Sequence, residues 1–266
     1  MQAGVSTASL FMRTNNEESL PLLNDLGVQC AEVFLTSFSE YGYPFADLLK
    51  KVKGDLNVHS VHALNTEFEP QLFSKHPRVK ADAYAWAEKV LESANALGAK
   101  AYTFHGTSRV KRSTRSGAND DFPSMIEGFA ELSDFCDKRG VALCLENVEW
   151  STYNRLGVFR TLAREIPKLR GVLDIKQARI SEQPWQEYLS EMGNRLSHVH
   201  ISDVDERGKM CLPGKGKFPF DELIKRLKDV GFDGPILIEV YNKDYHDFAE
   251  LKASVDYVNE IIEKNR

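Results

Sequence analysis

Eight short runs rich in β-branched and aromatic residues recur along the chain, and a longer stretch with apolar residues three and four apart follows each one. The runs are AGVS (3–6), AEVFL (31–35), NVHSVHA (57–63), KAYTFHG (100–106), ALCLENV (142–148), GVLDIK (171–176), LSHVHIS (196–202) and PILIEVY (235–241). Intervening stretches such as PFADLLKKVKG and FPSMIEGFAELSDFCDKRG end in basic residues followed by glycine, a helix-stop signal. Val79 to Leu97 reads as the longest helix, and LKASVDYVNEIIEKN as the last. Strands that alternate with crossover helices pair in parallel. The first strand lacks a GxGxxG turn, which disfavours an open doubly wound sheet, and eight strand and helix units favour closure. The expectation is therefore an α/β chain forming a single (β/α)8 barrel domain over residues 1–266.

Composition narrows the function classes. A chain of 266 residues with 42% hydrophobic content can bury a sizeable core. No apolar run approaches the roughly 20 residues of a membrane helix, and the start, MQAGVSTASLF, lacks the order of a secretion signal. These features point to the cytoplasm, with no membrane partner. Cys30, Cys136, Cys144 and Cys211 lie far apart without a CxxC pair, as suits reduced thiols, and Cys144 reads as core filling. A net charge of −5 offers no basic field for a phosphate backbone, so no nucleic-acid partner is expected.

Charged residues stand where a barrel strand should be apolar. Side chains alternate in direction along a strand, so Glu146 shares the inward parity of Cys144, Asp174 that of Val172, His200 that of His198 and Glu239 that of Leu237. Four ionisable groups on four strands would converge at the strand ends, where such barrels build their sites. Three carboxylates packed together repel and lose hydration unless a cation lies between them. Three oxygens and one imidazole, without thiolate, suit one divalent metal ion and leave Mn, Mg, Co and Zn open.

At these residues the chain resembles the sugar isomerase and epimerase superfamily of xylose-isomerase-like TIM barrels, which also contains endonuclease IV. The resemblance runs through LCLENVEW (143–150), VLDIKQA (172–178), LSHVHISD (196–203), LPGKGKF (212–218) and ILIEV (236–240). It implies that Glu146, Asp174, His200 and Glu239 are the metal ligands. It also implies a small-molecule carbohydrate substrate and, as one assembly option, a homo-oligomer.

Around the quartet, His62 shares the parity of Ser60 and His105 that of Thr103, and related barrels carry a histidine at both positions. Both are candidates to bind substrate. His59 has the opposite parity and is expected to face the surrounding helices. Lys176 shares the parity of Asp174 and either brings positive charge to the site or extends into solvent. Gln177 stands where many relatives have the histidine of a DxxH motif; its neutral amide can still donate to a substrate oxygen. Lys215, in LPGKGKF, is a further substrate-binding candidate, Asp203 either orients the site or forms a turn, and Trp150 either stacks on a sugar face or covers the barrel top.

The implied chemistry is metal-dependent isomerisation or epimerisation of a sugar, sugar phosphate or related polyol. Proton transfer would pass through a metal-stabilised enediolate, with Glu146 and Glu239 as the catalytic pair. Three alternatives remain: a sugar dehydratase on the same barrel, an endonuclease IV-like repair nuclease, and a barrel that binds metal or a sugar without turnover. Against the nuclease, Gly208 and Met210 stand where that family carries an Asp and a His, and Gln177 replaces a third ligand.

Overall fold

The computed structural model describes residues 1–64, 68–107 and 122–266. In chain order the strands are β1 (Gln2–Ser6), β2 (Cys30–Leu35), β3 (Asn57–Ala63), β4 (Ala101–Phe104), β5 (Ala142–Glu146), β6 (Arg170–Asp174) and β7 (Leu196–Ile201), then the two-residue β8 (Asp203–Val204) and β9 (Met210–Cys211), and finally β10 (Pro235–Ile238). All but β8 and β9 close into a parallel barrel in the order β1-β10-β7-β6-β5-β4-β3-β2, while β8 and β9 pair antiparallel beside it. The helices are α1 (Asn16–Asp25), α2 (Tyr43–Val52), α3 (Pro77–Leu97), α4 (Phe122–Asp137), α5 (Val158–Glu165), α6 (Ile175–Ile180), α7 (Trp185–Met192), α8 (Phe220–Asp229) and α9 (Phe248–Lys264). Every crossover between barrel strands contains at least one helix, so the expected eightfold alternation is realised.

The core lies between the outward strand faces and the helices. In α8 the buried residues are Phe220, Leu223, Ile224 and Leu227, the three-and-four spacing of a helix with one apolar face. Each such side chain contributes roughly 1.5–3 kcal/mol on leaving water. They pack with strand residues such as Leu143, Leu145, Leu173, Val199, Ile236 and Ile238 in one continuous cluster. Inside the barrel a second, small cluster of Ala101, Cys144 and Val172 forms an apolar floor, which gives Cys144 the filling role expected of it. Gly4 lets the first strand approach closely: a Cβ there would fall 2.4 Å from the Cys30 carbonyl oxygen and 2.8 Å from Leu237. Among the described residues no helix is long and apolar enough to cross a membrane.

Two local expectations are corrected. The sixth run extends to Lys176 by pattern, but β6 stops at Asp174, whose side chain accepts a hydrogen bond from the Gln177 amide (2.8 Å) and starts α6. Lys176 is thus a helical residue. His59 does not follow simple alternation, because the β2/β3 register pairs Ala31 with Val58 and then Glu32 with Ser60. This bulge turns its ring edge-on to that of His198, with centroids 5.1 Å apart, instead of toward the helices.

Candidate metal centre at the barrel mouth

The four strand-end groups converge. Glu146 ends β5, Asp174 ends β6, His200 is the penultimate residue of β7, and Glu239 follows β10, with its amide still donating to the Ile201 carbonyl (2.9 Å). His200 Nδ1 lies 3.2 Å from Glu146 Oε1 and 3.2 Å from Glu239 Oε2. One donor atom from each of the four residues lies within 4.8 Å of the others. Glu146, Asp174 and His200 are buried.

Glu146 Oε2, Asp174 Oδ2 and Glu239 Oε2 are buried and make no hydrogen bond, although His105, Lys176 and His200 lie 3.1, 3.4 and 3.2 Å from them. A buried carboxylate oxygen without a hydrogen bond carries a desolvation cost of about 1–3 kcal/mol or more. Three of them around one imidazole fit a divalent cation of the kind that takes oxygen and nitrogen donors. Electrostatics tell the same story. Burial, reinforced by Glu146 and Glu239 and opposed by Lys176, pushes the Asp174 carboxyl up to about 7. Burial would raise Glu146 too, but His200 and His105 beside it hold that carboxyl well below the usual range. Burial disfavours the charged imidazole of His200, yet Glu239, Glu32 and Glu146 together hold it well above its ordinary value.

Asn147 fixes the spacing of two of these groups. Its Nδ2 donates to the Asp174 carbonyl and its Oδ1 accepts from the Asp174 amide, both at 2.8 Å, so that one side chain continues the ladder between β5 and β6. Sequence reasoning missed this residue. A buried Asn directly after an inward Glu at a strand end is the signal that was there to read.

Of the substrate-facing candidates, the structure brings three to the quartet. His62 and His105 have their Nε2 atoms 3.0 Å apart, and His105 Nε2 is 3.1 Å from Glu146 Oε2. Lys176 is buried, with Nζ 3.3 Å from Glu239 Oε1 and 3.4 Å from Asp174 Oδ2. Two others are placed differently. Gln177 Oε1 accepts from the Glu149 amide (3.2 Å), tying α6 to the loop after β5. Lys215 is exposed in a loop whose amides from Gly214, Gly216 and Phe218 donate to Asp203 at 3.1, 2.9 and 2.8 Å. Asp203 is therefore the anchor of that loop. Gly216 is required there, since a Cβ would fall 2.4 Å from Asp203 Oδ1 and 2.3 Å from the Val204 carbonyl oxygen. Trp150 stays 42% exposed, with its ring centroid 5.2 Å from that of His105 at the edge of the mouth.

One layer below lies a carboxylate that sequence reasoning also missed. Glu32 is fully buried and accepts from the hydroxyls of Ser6 (3.0 Å) and Ser60 (2.8 Å). Its oxygens lie 3.1 Å from His200 Nε2, 3.3 Å from His198 Nε2 and 3.4 Å from His62 Nδ1. A second buried acid, Glu69, accepts from the Tyr102 hydroxyl and lies 3.7 Å from His105 Nδ1. The site is thus an alternation of carboxylates and imidazoles two layers deep. Glu32 was legible as a lone charge inside the apolar run AEVFL.

Comparison with known proteins agrees with the barrel fold. The family model described as xylose isomerase-like TIM barrel matches residues 20–261. Over 228 residues the chain is 22% identical to the D-psicose 3-epimerase of Agrobacterium fabrum, covering 82% of this chain and 76% of that protein. Over 122 residues it is 29% identical to the fructoselysine 3-epimerase of Escherichia coli O157:H7, covering 44% of each. Among solved structures it superposes on a D-psicose 3-epimerase with D-tagatose from Clostridium cellulolyticum H10 at a TM-score of 0.79 and 18% identity, covering 98% of this chain and 99% of that one. It superposes on the IolI protein with a bound zinc atom at a TM-score of 0.78 and 16% identity, covering 99% of each. At such identities the superpositions speak to the fold alone.

Proposed function

The chain belongs to the xylose isomerase-like TIM-barrel family, and from that premise we propose that it is a divalent-metal-dependent epimerase or isomerase of a sugar, sugar phosphate or related polyol. The observation that carries this reading is the convergence of Glu146, Asp174, His200 and Glu239 with three buried carboxylate oxygens left without hydrogen-bond partners. The epimerase activities named for the relatives support the same reaction class. Glu146, Asp174, His200 and Glu239 would hold the divalent ion, which would supply an electrophile that stabilises negative charge on a substrate oxygen.

The chain's own groups account for the proton movement. Glu146 and Glu239 flank His200 from β5 and β10, so that one carboxylate removes a proton beside the sugar carbonyl and the other returns one. Opposite faces give epimerisation, and transfer to the neighbouring carbon gives isomerisation. In this reading the His62 and His105 pair and the Lys176 ammonium hold hydroxyl or carbonyl oxygens, a role supported by their distances to each other and to Glu239.

The test is solvent exchange. Purified protein loaded with Mn²⁺, Mg²⁺, Co²⁺ or Zn²⁺ is incubated in D₂O with a panel of ketoses, inosoles and their phosphates. Deuterium incorporation next to the carbonyl of one class, dependent on the added metal, is the expected result. Absence of exchange across the panel, combined with nicking of abasic DNA, would replace the epimerase reading with the nuclease.

A further inference from the structure

Lys176 stands out within the mouth, because an ammonium group sits in the space between two of the carboxylates assigned to a metal. It is the second residue of α6, two residues after Asp174, whose side chain caps the helix at the Gln177 amide. Its Nζ lies 3.3 Å from Glu239 Oε1 and 3.4 Å from Asp174 Oδ2, and only 6% of the residue is exposed. Its next neighbour on the open side is the Tyr241 ring, whose centroid is 5.2 Å from Nζ and which is half exposed.

We propose that Lys176 is a resident counter-cation of the quartet that competes with the divalent ion, and that metal binding turns its ammonium away from Asp174 and Glu239 toward Tyr241 and the substrate. The inference rests on the metal-centre reading above and goes beyond it. Two cations cannot share one pair of carboxylates cheaply: like charges a few ångströms apart in a partly desolvated site repel strongly. The lysine stem supplies the means of movement, since four flexible carbons carry a point charge that rotates without moving the backbone. The Tyr241 ring, already 5.2 Å from Lys176 Nζ and 5.4 Å from Lys243 Nζ, attracts the displaced ammonium through its π face, and Lys243 swings toward solvent to make room. From there the charge borders the mouth, where a sugar carbonyl, hydroxyl or phosphate oxygen would meet it. The cost of displacing Lys176 is then charged against metal affinity, and the gain is a cation delivered to the substrate only when the metal is present.

The experiment compares calorimetric titrations of Mn²⁺ into metal-free wild-type protein, Lys176→Met and Lys176→Gln, with folding of each variant checked by its thermal melt. At least tenfold tighter Mn²⁺ binding by either folded variant is expected, and uptake by the variants alone would support the proposal equally. Equal or weaker binding by the variants overturns it. Failure of all three proteins to bind Mn²⁺ would sink the metal-centre reading, and this proposal with it. An independent readout uses wild-type protein with ¹³Cε-labelled lysine titrated with diamagnetic Zn²⁺. One buried lysine resonance should move as the site fills; a set of lysine signals unchanged at saturating Zn²⁺ refutes the displacement.

Discussion

Inside the barrel, Ala101, Cys144 and Val172 form a floor of small apolar groups, whereas two residues further along the same strands stand Thr103, Glu146 and Asp174. Both layers obey the same inward parity and both are buried. They differ in what holds them. The floor is stabilised by leaving water, as any core is. The mouth collects buried acids and imidazoles, leaves several carboxylate oxygens without hydrogen bonds, and pushes Asp174 up toward neutrality. A barrel interior is ordinarily filled by bulky aliphatic side chains. Folding alone gives no reason for the upper layer, so its charge is best understood as the cost of a site.

The largest effect expected from this contrast comes from moving a charge downward. Val172→Asp places a carboxylate in the floor beside Ala101 and Cys144 and next to His198, whose imidazole burial holds below its ordinary pKa and so toward neutrality, and should cost about 3–5 kcal/mol in urea unfolding. A loss below about 1 kcal/mol would mean that the floor is wetter or more polar than its residues imply. Next comes the mouth itself. Glu146→Gln and Glu239→Gln keep shape while removing a carboxylate, and each should lower metal-dependent solvent exchange at least about a hundredfold. Their metal-free stability should shift by no more than about 1 kcal/mol, because the lost imidazole contact is offset by relief of repulsion among the acids. Collapse of the fold in either variant would make the charged layer structural, and the contrast between the layers would disappear.

Much of this division was legible in the chain because it rests on periodicity. Eight strand runs could be counted, and inward parity was enough to gather Glu146, Asp174, His200 and Glu239 from four separate segments. What failed depended on where strands stop and slip. Asp174 both ends β6 and caps α6, so Lys176 reaches the site from the first turn of a helix, a route that strand parity does not describe. The skipped pairing at His59 is a property of two strands together, and neither strand alone encodes it. Glu32 is hidden by its neighbours: a single acid in an otherwise apolar run reads as part of a core strand, and only barrel closure brings it beneath His200. Lys215 was grouped with the mouth by its glycine loop, yet the amides of that loop turn toward Asp203 and leave the lysine exposed.

The smallest expected effect tests where the mouth ends. Gln177 is a substrate-binding candidate by sequence, but its side-chain oxygen is engaged by the Glu149 amide. If that tether is its role, Gln177→Ala loses one partly buried hydrogen bond worth about 0.5–1.5 kcal/mol and loosens the loop that follows Glu146. Solvent exchange would then fall by less than about tenfold, most of it recoverable in Gln177→Glu, because a carboxylate still accepts from the Glu149 amide. A group bonded to the sugar behaves otherwise. Replacing a neutral donor with a further negative charge beside three carboxylates would repel a substrate oxygen, so Gln177→Glu would be the worse variant of the two. Exchange rates and urea midpoints measured on both variants therefore separate the roles by the sign of one difference. Recovery in Gln177→Glu places Gln177 outside the charged ring, and a deeper loss places it within.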